Sequence, residues 1–135
     1  MTTSTPVPVW ILMVASLIAL LGMFVGCSLY LSPATFMPEI DFSLPGMRYL
    51  TEMWAARQIA IAAIIAYAVW KRSAPLLQLS LLAYSLMNLQ DLVIGFSKGD
   101  YGLAGGASFF FLLPSVMILI LARKQKQQEA GRITR

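Results

Sequence analysis

The chain contains no histidine. The nitrogen ligand that most haem and zinc centres need is therefore missing, and no metal site is expected. There is one cysteine, Cys27, so an internal disulfide and a Cys-x-x-Cys redox pair are both excluded. Redox chemistry would require a bound cofactor or a partner subunit. Charge is also scarce. Of 135 residues, 12% are Asp, Glu, Lys or Arg and 59% are apolar, which is the composition of a membrane protein rather than of a soluble core. The ten Lys and Arg outnumber the six Asp and Glu, but all except Arg57 sit at the ends of apolar runs and in the tail. That placement suits a membrane surface, and nucleic acid is not an expected partner.

What is present is a set of long apolar runs. The first, 9–31, is 23 residues and about 35 Å long as a helix, enough to cross a bilayer with some tilt. Three more runs follow at approximately 49–70, 75–96 and 104–122, with a basic tail over 123–135. Trp10, Tyr30, Tyr67 and Trp70 lie at run ends, where amphipathic rings settle at the membrane interface. The expectation is one all-α domain, a four-helix transmembrane bundle. Between the first two runs, 32–47 contains three prolines and a glycine and reads as a loop at the membrane surface. Lys71-Arg72-Ser73-Ala74 reads as a tight basic turn, and 97–103 as a short polar turn. Pro114 falls inside the fourth run, where it should kink the helix and free a carbonyl. The tail beyond its first turn is expected to be disordered.

Four spans place Lys71, Arg72, Arg123, Lys124, Lys126, Arg132 and Arg135 on one side, and Arg48 and Lys98 on the other. The positive-inside rule then puts both termini in the cytoplasm of a multi-pass protein of the plasma (inner) membrane. The first run lacks the basic leader of a signal peptide and exceeds a usual signal core. Phe24-Val25-Gly26-Cys27 has only a faint likeness to a lipoprotein cleavage site, so Cys27 is read as a small buried apolar residue. Ala15, Ala19, Gly22 and Gly26 form a stripe of small residues that lets another helix approach closely. A seam within one subunit is the simpler reading, and a homodimer contact is the alternative.

The third run carries the polar residues. Ser80, Tyr84, Asn88, Asp91 and Gly95 are spaced by four, four, three and four, which places them on one helical face. The second run carries Arg48 and Glu52, an i,i+4 pair near the interface, and then Arg57 about two turns inside. A lone charge at that depth is costly unless it snorkels or finds a partner. Arg57 lies roughly 9–12 Å below the outer start of its helix and Asp91 roughly 7–9 Å below the outer end of the next. Adjacent antiparallel helices bring them to similar depth. An Arg57–Asp91 ion pair is expected in the outer half, with Asn88, Tyr84 and Glu52 near it. Such a pair can set helix register alone, or it can line a pocket.

Three stretches together resemble the DoxX-like group of small four-helix membrane proteins. They are Gly26-Cys27-Ser28-Leu29-Tyr30-Leu31-Ser32-Pro33, Trp54-Ala55-Ala56-Arg57-Gln58-Ile59-Ala60, and Asp91-Leu92-Val93-Ile94-Gly95 followed by a Gly-Asp turn. The resemblance implies a four-helix bundle with Arg57 and Asp91 as its characteristic charges. It also implies a place beside membrane oxidoreductase assemblies, since the group's namesake is a small quinol oxidase subunit. It carries no enzymatic activity over to this chain. The leading expectation is an accessory or scaffold subunit, or a binder of a lipid- or quinone-like molecule, with no catalytic residue assigned. Its partners would be the bilayer and a membrane protein or second copy. A proton-coupled transporter using Asp91 is the alternative. An integral-membrane isomerase or oxidoreductase using Tyr84 and Asp91 as acid and base is the third reading.

Overall fold

The computed structural model describes residues 7–133, and it is helical nearly throughout. The helices are α1 (Val9–Leu31), a single turn α2 (Pro33–Phe36), α3 (Met47–Trp70), α4 (Ala74–Lys98) and α5 (Tyr101–Ile133). Apart from α2, each is long and apolar enough to cross a membrane. The all-α four-span architecture is as expected, with differences at the ends. The fourth helix does not begin at 104 or stop at 122. It starts at Tyr101 and continues through the tail to Ile133, so the expected disorder of the tail is corrected to helix. Gln, Lys, Arg, Glu and Ala dominate 122–131, and most of these favour helix once a membrane-anchored turn has nucleated it. The polar segments 1–6 and 134–135, including Arg135, lie outside the described residues.

Local chemistry fixes the breaks. After Ser32, Pro33 cannot continue the hydrogen-bond ladder of α1, and Ser32 N–H closes the helix on Ser28 O at 2.8 Å. The turn between α3 and α4 spans only Lys71–Ser73, and Arg72 takes a left-handed φ of 48° to make it. The polar turn expected over 97–103 shrinks to Gly99 and Asp100. Gly99 adopts φ 71°, a conformation that costs glycine nothing, and Asp100 N–H reaches back to Gly95 O at 2.9 Å. Asp100 then caps α5, its Oδ1 accepting the Leu103 N–H at 2.9 Å.

Packing is uneven. α1 lies along α3 and α4 along α5 in two extensive interfaces, while α3 and α4 meet over a much smaller one. The apolar core gathers at one end of the bundle. It joins Ile11, Ala15 and Ile18 of α1, Ile65 and Ala68 of α3, Leu77 and Leu81 of α4, and Met117 and Leu121 of α5. This is the end that holds the Lys71–Ser73 turn. Towards the other end each pair is held by small residues. A Cβ on Gly26 would sit 2.6 Å from Ile59 Cγ1 and 3.1 Å from Ala55 O, and one on Gly22 3.3 Å from Ala62 Cβ. A Cβ on Gly95 would sit 2.8 Å from Ala104 N. The Gly22/Gly26 stripe, with buried Ala15 and Ala19, is thus filled by α3 of the same chain. Cys27, expected to be buried, is exposed instead, because it is one residue past Gly26 and turns away from this seam.

α4 is the most enclosed span, with 39% of its apolar window buried against 22–28% in the others. α3 and α4 are the two helices that join the pairs. Large apolar side chains on the outer surface, such as Leu20, Phe24, Leu79 and Leu119, are exposed, as expected where that surface meets lipid. Tyr30, Tyr49 and Tyr101 are exposed at one end, and Trp10, Tyr67 and Trp70 at the other. These rings mark the two interfacial belts.

Candidate functional site

The site lies between α3 and α4, in the half of the bundle remote from the apolar core. Arg57 projects from α3 and Asp91 from α4, and Arg57 Nη2 stands 3.4 Å from Asp91 Oδ1. They meet because the three-residue turn forces α3 and α4 to run antiparallel, which sets the two charges at one depth. The bond is single and long. A guanidinium carries five N–H donors, and here only one is directed to the carboxylate. The Arg57 side chain is 42% exposed and that of Asp91 16%, so the cation stands at the opening and the carboxylate further in.

Around this pair is a cleft of about 350 Å3 lined by Met53, Trp54, Arg57, Asp91 and Ile94. Met53, Trp54 and Arg57 share a face of α3, and Asp91 and Ile94 share one of α4. The indole Nε1 of Trp54 is covered and has no hydrogen-bond acceptor among the described residues. A covered donor without an acceptor is costly in a membrane-spanning segment, where water is scarce.

The other polar residues named from the sequence do not join the cleft wall. Glu52 accepts from Arg48 Nε at 3.1 Å in an exposed pair on the same helix. Tyr84 is buried and its ring packs edge-on against Phe110 of α5, with centroids 6.3 Å apart. Asn88 is buried and donates from Nδ2 to Tyr84 O at 2.8 Å. Ser80 bonds the Leu77 carbonyl at 3.0 Å, and Gly95 packs on Ala104. The polar face of α4 therefore divides. Ser80 and Asn88 satisfy themselves on their own helix, Tyr84 and Gly95 serve the contact with α5, and Asp91 alone turns to α3. Asn88, Tyr84 and Glu52 are thus not among the residues that line the cleft.

Trp54 was not singled out from the sequence, although its i,i+3 spacing from Arg57 was the available signal. A second polar contact was also missed. Ser115 Oγ bonds the Phe111 carbonyl at 2.7 Å and lies 3.5 Å from Ser85 Oγ, which ties α5 to α4 near Pro114. Pro114 is buried within a continuous helix.

Four spans and an ion-paired cleft between two of them define a small multi-pass membrane protein. No protein-family model, curated protein or solved structure matches the chain.

Proposed function

We propose that this protein binds the polar end of a lipid- or quinone-like molecule in the cleft between α3 and α4, with both termini cytoplasmic in the plasma (inner) membrane. The observation that carries the reading is the under-satisfied Arg57 guanidinium. It makes one long bond to Asp91 and lines a cleft together with Met53, Trp54 and Ile94. A carbonyl or headgroup oxygen would accept from Arg57, and the apolar walls would take the body of the ligand. The resemblance to the DoxX-like group supports the same reading and adds that the bound molecule would serve a larger oxidoreductase assembly, with this chain as accessory subunit.

One feature favours binding over transport: the opposite half of the bundle is packed largely by apolar side chains such as Ile11, Leu77, Leu81, Met117 and Leu121. The test is mass spectrometry of what co-purifies in mild detergent with wild type and with Arg57→Gln. A quinone or specific lipid retained by wild type and lost from the variant is expected. Equal small-molecule content in both would overturn the reading, and a protein partner retained equally by both would then make the ion pair structural.

A further inference from the structure

An apolar groove lies at the other end of the bundle, on the face of the α1/α3 pair. Ser16, Leu20 and Met23 of α1 and Ala62, Ala66 and Trp70 of α3 line this groove of about 350 Å3. Along α3 it runs from Ala62 near mid-span to Trp70 at the helix end, about 12 Å. Its one hydroxyl is already used, since Ser16 Oγ donates to Leu12 O at 2.8 Å. The groove is thus apolar along its length, and its direction follows the membrane normal.

Its mouth is cationic. Trp70 is 74% exposed, and Lys71 Nζ lies over its ring at 4.7 Å from the centroid and 5.7 Å from that of Tyr67. This cation–π contact holds the exposed ammonium beside Trp70, the residue at the end of the groove. Among the described residues Lys71 has no carboxylate partner, the two ion pairs being Arg48–Glu52 and Arg57–Asp91. Arg72 follows at once, and Arg123 and Lys124 leave the bundle at the same end.

We infer that this groove seats one acyl chain of an anionic phospholipid, with its phosphate at Lys71 and Arg72. An apolar trough open along the membrane normal, ending in an unneutralised ammonium at the interface, matches an acyl chain joined to an anionic head. Charge argues against a second copy as the occupant. A two-fold contact through this face, with both copies in the same orientation, would bring two Lys71–Arg72 turns to one level and oppose four positive charges.

The test uses Trp70 as reporter in vesicles, with Trp10→Phe and Trp54→Phe removing the other two indoles. Dibrominated phosphatidylglycerol is compared with dibrominated phosphatidylcholine as quencher. Phosphatidylglycerol is expected to associate with the groove more tightly. Lys71→Gln should reduce that preference about fivefold, the effect of one lysine near an anionic surface. Ala66→Phe, at an exposed position outside the core, should lower quenching by both lipids by filling the groove. Equal quenching by the two lipids in the Lys71 protein, or a preference unchanged by Lys71→Gln, overturns the inference. So does protection of Trp70 from both lipids, which would mean that a second copy occupies the face.

Discussion

The Arg57–Asp91 contact can be tested by a double-mutant cycle of Arg57→Gln, Asp91→Asn and the two combined. Two unit charges 3.4 Å apart attract by about 5 kcal/mol at an effective dielectric of 20. That gross figure is not the net contribution. The bond is single and long, and Arg57 is 42% exposed, so screening and side-chain entropy remove most of it. Polar contacts between membrane helices average about 0.6 kcal/mol and reach about 1.7 kcal/mol. A coupling of about 1 kcal/mol is therefore expected, above the roughly 0.3–0.5 kcal/mol scatter of independent sites. The single variants should also differ. Arg57→Gln leaves a carboxylate that is only 16% exposed without its cation, whereas Asp91→Asn leaves a guanidinium at an open cleft. Arg57→Gln should cost more. Reversible unfolding in mixed micelles, or steric trapping in bicelles, would measure all four proteins. Coupling within the scatter would show that the two charges satisfy themselves separately, and would remove the electrostatic link between the two helix pairs.

Glycine substitutions should separate packing from propensity. Gly95→Ala places a Cβ 2.8 Å from the Ala104 backbone nitrogen and should destabilise the α4/α5 pair by about 1–3 kcal/mol, whereas Gly105→Ala meets nothing within 4 Å and should be neutral or stabilising, by up to about 1 kcal/mol, in the same unfolding assay. In the surface loop, the Ser43 hydroxyl and amide both donate to Asp41 Oδ1, at 2.6 and 2.9 Å, and hold its carboxyl below the usual 3.8. With a depressed value in the fold, this turn's contribution is present above the unfolded pKa and is lost as pH falls through the folded one. Carboxyl NMR titration should find Asp41 below an ordinary aspartate, and Ser43→Ala should move it back up; an unchanged titration would sink the assignment.

How much of this was legible beforehand depends on the kind of residue. Four apolar runs long enough to span a bilayer dictate helices, because a lipid-exposed backbone must satisfy its own hydrogen bonds. The bounds of α1 were legible to the residue, since Pro8 and Pro33 flank it. The meeting of Arg57 and Asp91 was legible too, because a short turn and a fixed 1.5 Å rise put them at one depth. Other ends were mixed: α3 closes at Trp70 as expected, but it starts two residues before 49 and α4 runs two residues past 96. Asp100 caps α5, which starts at Tyr101, three residues before the expected 104, and the charged tail has no apolar periodicity to mark it as helix.

The sequence by itself determined the number of spans, their turns, the interfacial rings and the depth of each intramembrane charge. These follow from hydropathy and from distances measured along the chain. It could not determine rotation about each helix axis, and rotation decides partners. Only the tertiary structure turned Asp91 towards α3 while Tyr84 and Gly95 went to α5, exposed Cys27 one residue from a buried glycine, and placed Trp54 in the cleft wall. The same packing concentrated the apolar core at one end and left a cleft at the other. The cause is the close approach that Gly26 and Gly95 allow within each pair. That approach sets how the pairs face each other, and no periodicity within a single helix encodes it.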